Sequence, residues 1–274
     1  MAAKAPRATT SWRQYMSPLA IFNWLVLLAV LAPLLVVAYV SFTPSNFLEL
    51  PAPTQLSLRW YGEIFRRGGF VDAFATSVVL GLTATAVSVT IGTLAAYAIS
   101  RYQFPGRELI DTLVMAPLMV PGVILGLFLL IFLVNLRMTG SFLGLLAAHV
   151  LLTVPYAART VRASLRDVDR SLERAARNLG APGWRAFVLV TLPLIKPGVL
   201  AGAIFAFLMS FDNLTVSIFL TDRRLMTLPV RMYHYIVDIT DPVIAAVSTI
   251  LLVVSLVLVL FLERLFGLKR LFEA

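Results

Sequence analysis

Five stretches of this chain, 14–48, 73–100, 112–136, 138–158 and 242–262, contain no Asp, Glu, Lys or Arg at all. A sixth, 197–221, is interrupted by a single acid, Asp212. Apolar runs of about 18 residues or more are long enough to cross a bilayer as helices. With 274 residues, 59% of them hydrophobic, the chain has little left from which to build a soluble domain. The reading is an all-α, polytopic membrane protein with six transmembrane helices. The membrane domain covers 17–266, between short tails at 1–16 and 267–274. The first run exceeds the apolar core of a signal peptide, about 7–15 residues, and is read as a retained span.

Charge orients the bundle. A net charge of +9 would by itself suit a nucleic-acid binder, but its distribution argues against one. With the N-terminus inside, 16 of the 23 Lys and Arg residues fall on the cytoplasmic side and 7 outside. That is the positive-inside asymmetry, and it puts both termini in the cytoplasm. The expected environment is a lipid bilayer, with no nucleic acid. The absence of cysteine rules out disulfides, thiol catalysis and Cys-ligated metal. There is no phosphate-binding Gly-x4-Gly-Lys-Ser/Thr loop, no His/Glu metal pair and no nucleophile–base set. No catalytic residue, metal or cofactor is expected.

Taken in order, Ser17 is placed to cap a first span at 18–42, bent at Pro33. The outer segment 43–71 is rich in proline. Trp60 and Tyr61 there mark a short interfacial helix that anchors it. Asp72 is placed to cap a second span, 73–99. Along that span Gly81, Thr85, Ser88, Gly92 and Ala96 form a small-residue stripe for close helix packing. The third span, 108–134, contains Pro117 and Pro121-Gly122, so it should be kinked or locally unwound. Such a break survives in a membrane only where protein or a cavity satisfies the backbone. These three residues are the candidates for a gating bend. The fourth span, 142–162, holds His149, read as an interhelical hydrogen-bonding group.

The fifth span opens at Lys196-Pro197 and carries the cleanest small-residue seam, Gly198, Gly202, Ala206 and Ser210. It leads into Ser210-Phe211-Asp212-Asn213. Asp212 lies 15 residues beyond Pro197, about 22 Å of helix, which places its carboxylate in the outer third of the membrane. Intramembrane acids usually face a polar pathway or a partner, so Ser210, Asp212 and Asn213 are the substrate-pathway candidates. Leu228 to Tyr235 is a candidate short outer element, and Asp241-Pro242 caps the last span, 243–262.

Between the fourth and fifth spans lies RDVDRSLERAARNLGAPGWRAFVLVTLPLIKP, Arg166 to Pro197. Ser171 to Leu179 is built of good helix formers. Gly180 can turn left-handed at the helix end, and Pro182 blocks continuation while suiting the start of a second helix. That second arm carries Trp184, Phe187, Val188, Leu189 and Val190 and should end at Leu192-Pro193. The expected object is a helix–turn–helix at the membrane surface. Its charged arm faces outward and its apolar arm is tucked against the bundle, as a docking element would be.

These residues resemble the cytoplasmic loop of permease subunits of type I ABC importers: Glu-Ala-Ala, three residues, Gly, nine residues, Ile-x-Leu-Pro. The register here is Arg174, Ala175, Ala176, then Gly180, then Val190, Leu192 and Pro193. Val190 replaces Ile, and Arg174 stands where the family has Glu, with Glu173 one position earlier. The stretches MAPLMVPGVILGLFLL (115–130), LPLIKPGVLAGAIFAFLMSFDN (192–213) and TLPVRMY (227–233) look like spermidine/putrescine-type permeases, which often carry Ser-Phe-Asp-Glu where this chain ends in Asn213.

The resemblance implies a type I ABC importer permease in a bacterial cytoplasmic (inner) membrane, with a coupling loop at 163–196 that docks into separate ABC ATPase subunits. A second permease subunit would complete the pathway as a heterodimer, and an extracytoplasmic solute-binding protein would deliver the solute. It implies a polyamine or similar amine as cargo, with opines, amino acids and aminophosphonates as alternatives. An ion-coupled secondary transporter should instead show buried ionisable pairs and inverted repeats, and neither is evident.

Overall fold

The computed structural model describes residues 18–66, 69–239 and 241–266, with the side chains of the last helix described as far as Val257. The expected tails and the cap at Ser17 lie outside the described residues. Every regular element among them is helical.

The chain forms two compact units. The first combines Met1–Arg66 with Ile239–Ala274. Its long helix α1 (Pro18–Val40) contains Pro33 and buries none of its residues, as a lipid-facing span would. Turns and bends follow, as the prolines require, and then α2 (Arg59–Arg66). Trp60 is buried and donates its indole N–H to the Thr43 carbonyl at 2.8 Å, while the Tyr61 hydroxyl meets Ser41 Oγ at 2.7 Å. The anchor reading of this aromatic pair is what the structure shows. Helix α13 (Val243–Phe266) closes this unit, with the Asp241 carboxylate accepting from the Val243 N–H at its start.

The second unit, Arg67–Asp238, is organised on three helices and ends in the short helix α12 (Leu228–Asp238), the element expected from Leu228 to Tyr235. Helix α3 (Phe70–Arg101) is 32 residues long, about 48 Å, which exceeds the hydrocarbon core. It starts before Asp72. Gly69, at φ 101°, is the N-cap, because a residue without Cβ can take the left-handed turn into the helix. Helices α6 (Phe142–Arg166) and α10 (Lys196–Phe211) pack against α3 through small residues. A Cβ on Gly92 would lie 2.8 Å from Ala157 Cβ and 2.9 Å from the Ala158 nitrogen. One on Gly202 would lie 2.6 Å from Thr160 Oγ1. Both stripes therefore mark close helix contacts.

The third apolar run is interrupted where its prolines predict. Helix α4 (Arg107–Met115) passes into a 3-10 turn at Ala116–Leu118, and α5 (Gly122–Asn135) leaves at 106° to that piece. Of the expected kink or local unwinding, the structure shows the unwinding, with a bend far sharper than a kink. Pro117 sits in the 3-10 turn and Pro121 caps α5. The bend is set by what α5 packs on: Gly122 lies against Thr215 and Gly126 against Phe219, the latter on the short α11 (Ser217–Leu220). Among the described residues three helices are long and apolar enough to span a membrane, or five if each of two bent helix pairs counts as one span. Helix α13 adds an apolar segment, Val243–Val257.

Candidate functional site

The loop after α6 folds as two helical arms. Its charged arm is α7 (Arg170–Asn178), capped by the Asp169 carboxylate, which accepts from the Ser171 N–H at 2.8 Å. Hydrogen bonds from Ser171, hydroxyl and N–H, hold the Asp169 carboxyl below the usual carboxylate range. At the other end Gly180 takes φ 90°. Its N–H donates to the Arg177 carbonyl, and Ala181 N–H donates to that of Ala176. This is the Schellman closure for which glycine is the favoured residue.

Pro182 then caps the second arm: α8 (Gly183–Ala186), one π-helical turn (Phe187–Thr191) and α9 (Leu192–Leu194). Leu192-Pro193 does not end this arm. Proline is accepted at the start of the final turn, and the chain bends by 74° at Ile195 before entering α10.

One carboxylate holds both arms to the bundle. The Glu173 side chain is buried among α7, the π-helical turn and the C-terminal end of α3. Its Oε1 lies 2.9 Å from Arg101 Nε, with the N–H off the line of a straight hydrogen bond, so the pairing is ionic. The Tyr97 and Thr191 hydroxyls donate to the same carboxylate at 3.1 and 2.9 Å. Arg101 also reaches the Val168 carbonyl at 3.0 Å, and Phe187 packs on the Tyr97 ring with centroids 4.6 Å apart. Tyr97, Arg101 and Thr191 do not stand out in the sequence. Arg101 lies 72 positions from Glu173, and a spacing pattern carries no signal at that range.

The remaining loop candidates face outward. Arg174 and Ala175 are exposed, Ala176, Val190 and Leu192 are half-buried, and Pro193 is exposed. The apolar arm is not tucked away as expected: Trp184 is 64% exposed, Leu189 70% and, at the elbow, Leu179 90%. Ala186, Phe187, Thr191 and Leu192 turn inward, Phe187 and Leu192 packing on the core around Tyr97 and Ile195, because one face of a short helix can meet the bundle and the other must point away.

The substrate-pathway candidates separate. Ser210 is buried, its hydroxyl 2.8 Å from His149 Nδ1, while His149 Nε2 meets Ser217 Oγ at 3.0 Å. A neutral imidazole serves both, one ring nitrogen donating and the other accepting. Thr153 donates to the His149 carbonyl and meets Ser88 Oγ at 2.6 Å, which extends the network from α10 and α11 through α6 to α3. The interhelical role expected of His149 is thus observed. Asn213 caps α11, its Oδ1 accepting from the Val216 N–H. Asp212 ends α10 with its side chain exposed, and among the described residues its carboxylate has no hydrogen-bond or ion-pair partner. Pro117, Pro121 and Gly122 form the broken span described above.

Membrane-length apolar helices, a polar network inside them and a clamped two-armed loop with an apolar outer face define a membrane-embedded subunit of a transport assembly. The chain belongs to the family of binding-protein-dependent transport system inner membrane components, the permeases of ABC importers, whose profile matches residues 88–269. It is similar to the putrescine transport system permease protein PotI of Escherichia coli (strain K12), 32% identical over 228 residues, covering 81% of this chain and 80% of PotI. The spermidine/putrescine transport system permease protein PotC of the same strain is 30% identical over 202 residues, covering 74% and 76%. A solved bacterial alginate ABC transporter, in complex with alginate pentasaccharide-bound periplasmic protein, shares the fold, with a TM-score of 0.72 over 92% of this chain and 96% of that one at 17% identity.

Proposed function

We propose that this chain is one of two permease subunits of an ATP-driven importer, and that it forms half of the pathway for a small organic amine of the polyamine class. Its six spans are α1, α3, the α4–α5 pair, α6, α10 and α13, with both termini and the loop at 166–193 on the cytoplasmic side. A separate ATPase subunit grips that loop, and a binding protein delivers the solute from outside. ATP binding favours the outward-open state by stabilising the closed ATPase pair that this state accompanies.

The observation that carries this reading is the loop itself, tied inward by Glu173 while Leu179, Trp184 and Leu189 stay exposed. A rigid elbow with an apolar outer face transmits a push from a partner. Arg174 in place of the family's Glu leaves a cation on that face, so the groove that receives it is acidic or neutral.

For the cargo, support comes from the putrescine and spermidine/putrescine roles of the two relatives and from Asp212, whose unpaired carboxylate at the end of α10 can attract an ammonium group. With the complete transporter expressed, radiolabelled putrescine should accumulate, and Asp212→Asn should lower its uptake about tenfold, the worth of one charge-assisted hydrogen bond. Undiminished uptake by Asp212→Asn would remove this residue from the pathway. Failure of the parent to move putrescine or spermidine would rule out the polyamine class.

A further inference from the structure

Six arginines line one cavity of about 610 Å³ where the end of α3, the start of α4, the end of α6 and the start of α7 converge. Two of them are neutralised, Arg101 by Glu173 and Arg162 by Asp111, the latter at 2.6 Å. Arg107, Arg166, Arg170 and Arg174 have no carboxylate partner among the described residues. The one acid in the lining, Asp169, caps α7 and sets one negative charge beside Arg174. Against six arginines, Glu173, Asp111 and Asp169 leave an excess of three positive charges around one concave space, a positive potential that the low-dielectric walls focus.

A second cavity, about 490 Å³, shares Arg162 and Arg166 with the first, adds Arg159 on α6, and continues onto Met115, Leu118 and Met119 of the broken span, which form its apolar side. Met119 is 75% exposed, and α4 presents Leu109 and Leu113 at 62% and 60%. The cationic pocket therefore opens onto an apolar trough, and the two meet at a pair of guanidiniums.

We propose that these joined cavities bind one anionic phospholipid, its phosphodiester headgroup held by Arg107 and Arg166 and an acyl chain laid along Met115–Met119. Guanidinium forks match phosphate oxygens in geometry as well as charge. Basic pockets at the inner ends of membrane helices are suited to anionic headgroups. A free phosphate would fill the first cavity and leave the second unused. An acidic protein surface would account for the exposed arginines of α7 but not for the trough beside Arg166. The proposal uses the topology above only to name the inner leaflet as the lipid's source, and binding to the purified chain is measured independently of transport.

Native mass spectrometry of the full chain in mild detergent tests this, with phosphatidylglycerol, phosphatidylethanolamine and inorganic phosphate as probes. Phosphatidylglycerol should be retained about tenfold over phosphatidylethanolamine, a difference of about 1.4 kcal/mol, because its headgroup lacks the ammonium that offsets the phosphate charge. The double variant Arg107→Gln/Arg166→Gln should bring the two lipids close to parity, while Arg107→Lys/Arg166→Lys keeps most of the preference. Leu118→Ser/Met119→Ser should weaken phosphatidylglycerol retention with the arginines intact. Circular dichroism on every variant confirms that helix content is preserved. Equal retention of the two lipids by the parent, or an unchanged preference in the glutamine variant, overturns the proposal. Displacement of phosphatidylglycerol by inorganic phosphate at equal concentration would overturn the lipid assignment in favour of a simple phosphate site.

Discussion

Removing the Glu173 carboxylate leaves Arg101 charged and enclosed. The two side chains are 7% and 8% exposed, so neither has water to fall back on. Breaking such a pair from one side costs about 3–5 kcal/mol, most of it the desolvation left uncompensated on the survivor. Glu173→Gln also keeps an amide near Tyr97 and Thr191, so their hydroxyls are not stranded and the loss is specific to charge. The expected result is a loop that swings open. Trypsin should cut among Arg170, Arg174 and Arg177 at least about tenfold faster while the helices stay intact, and transport should fall with it. Parent-like cleavage would mean that the ion pair does not hold the arms. The neighbouring Arg174 should behave oppositely. It is exposed and makes no ion pair among the described residues, so Arg174→Ala, which removes one trypsin site, should leave the rate of cutting at Arg170 and Arg177 unchanged and alter only what the loop binds.

At the scale of the element, Gly180 and Gly92 are required for different reasons. Nothing lies within 4 Å of a Cβ added to Gly180, so the constraint there is φ 90° alone. Left-handed backbone costs an ordinary residue about 1–2 kcal/mol, and more for a β-branched one. Gly180→Asn should therefore retain most uptake and Gly180→Val very little, with equal amounts of both proteins in the membrane. At Gly92 the constraint is space: the neighbours are the Ala157 side chain and the α6 backbone, which cannot yield. Gly92→Val should overpack the α3–α6 contact by about 1–3 kcal/mol and lower the melting temperature of the purified protein. Unchanged melting would remove this close approach from the account.

The elements also show how far the sequence could be read. Gly180, Pro182 and the small-residue stripes act through backbone conformation and size, which are local, and the structure follows them. The bend between α4 and α5 was legible as a break from Pro117 and Pro121, but not as 106°, because that angle depends on Thr215 and Phe219 some 90 residues on. The true start of α3 at Gly69 was hidden by Asp72, an equally good cap by composition.

For the whole molecule, the account reduces to a chain of contacts from a surface loop to a membrane interior. Glu173 ties α7 and the second arm to the end of α3, and α3 packs along α6 and α10 through glycine. The His149 network joins those helices further along the same stripes, through Ser88 and Ser210. A displacement of the loop is therefore delivered to α3, α6 and α10, the helices that enclose the pathway on the proposed reading. The absence of cysteine offers a clean probe of which side that loop is on. Trp184→Cys creates the only thiol in the chain, at a position 64% exposed in the parent. A membrane-impermeant maleimide should fail to label it in spheroplasts and label it in inverted vesicles, with labelling suppressed when the ATPase subunit is co-expressed. Labelling from the outside of spheroplasts, or no protection by the ATPase, would contradict the claim that an energy-coupling partner grips this loop.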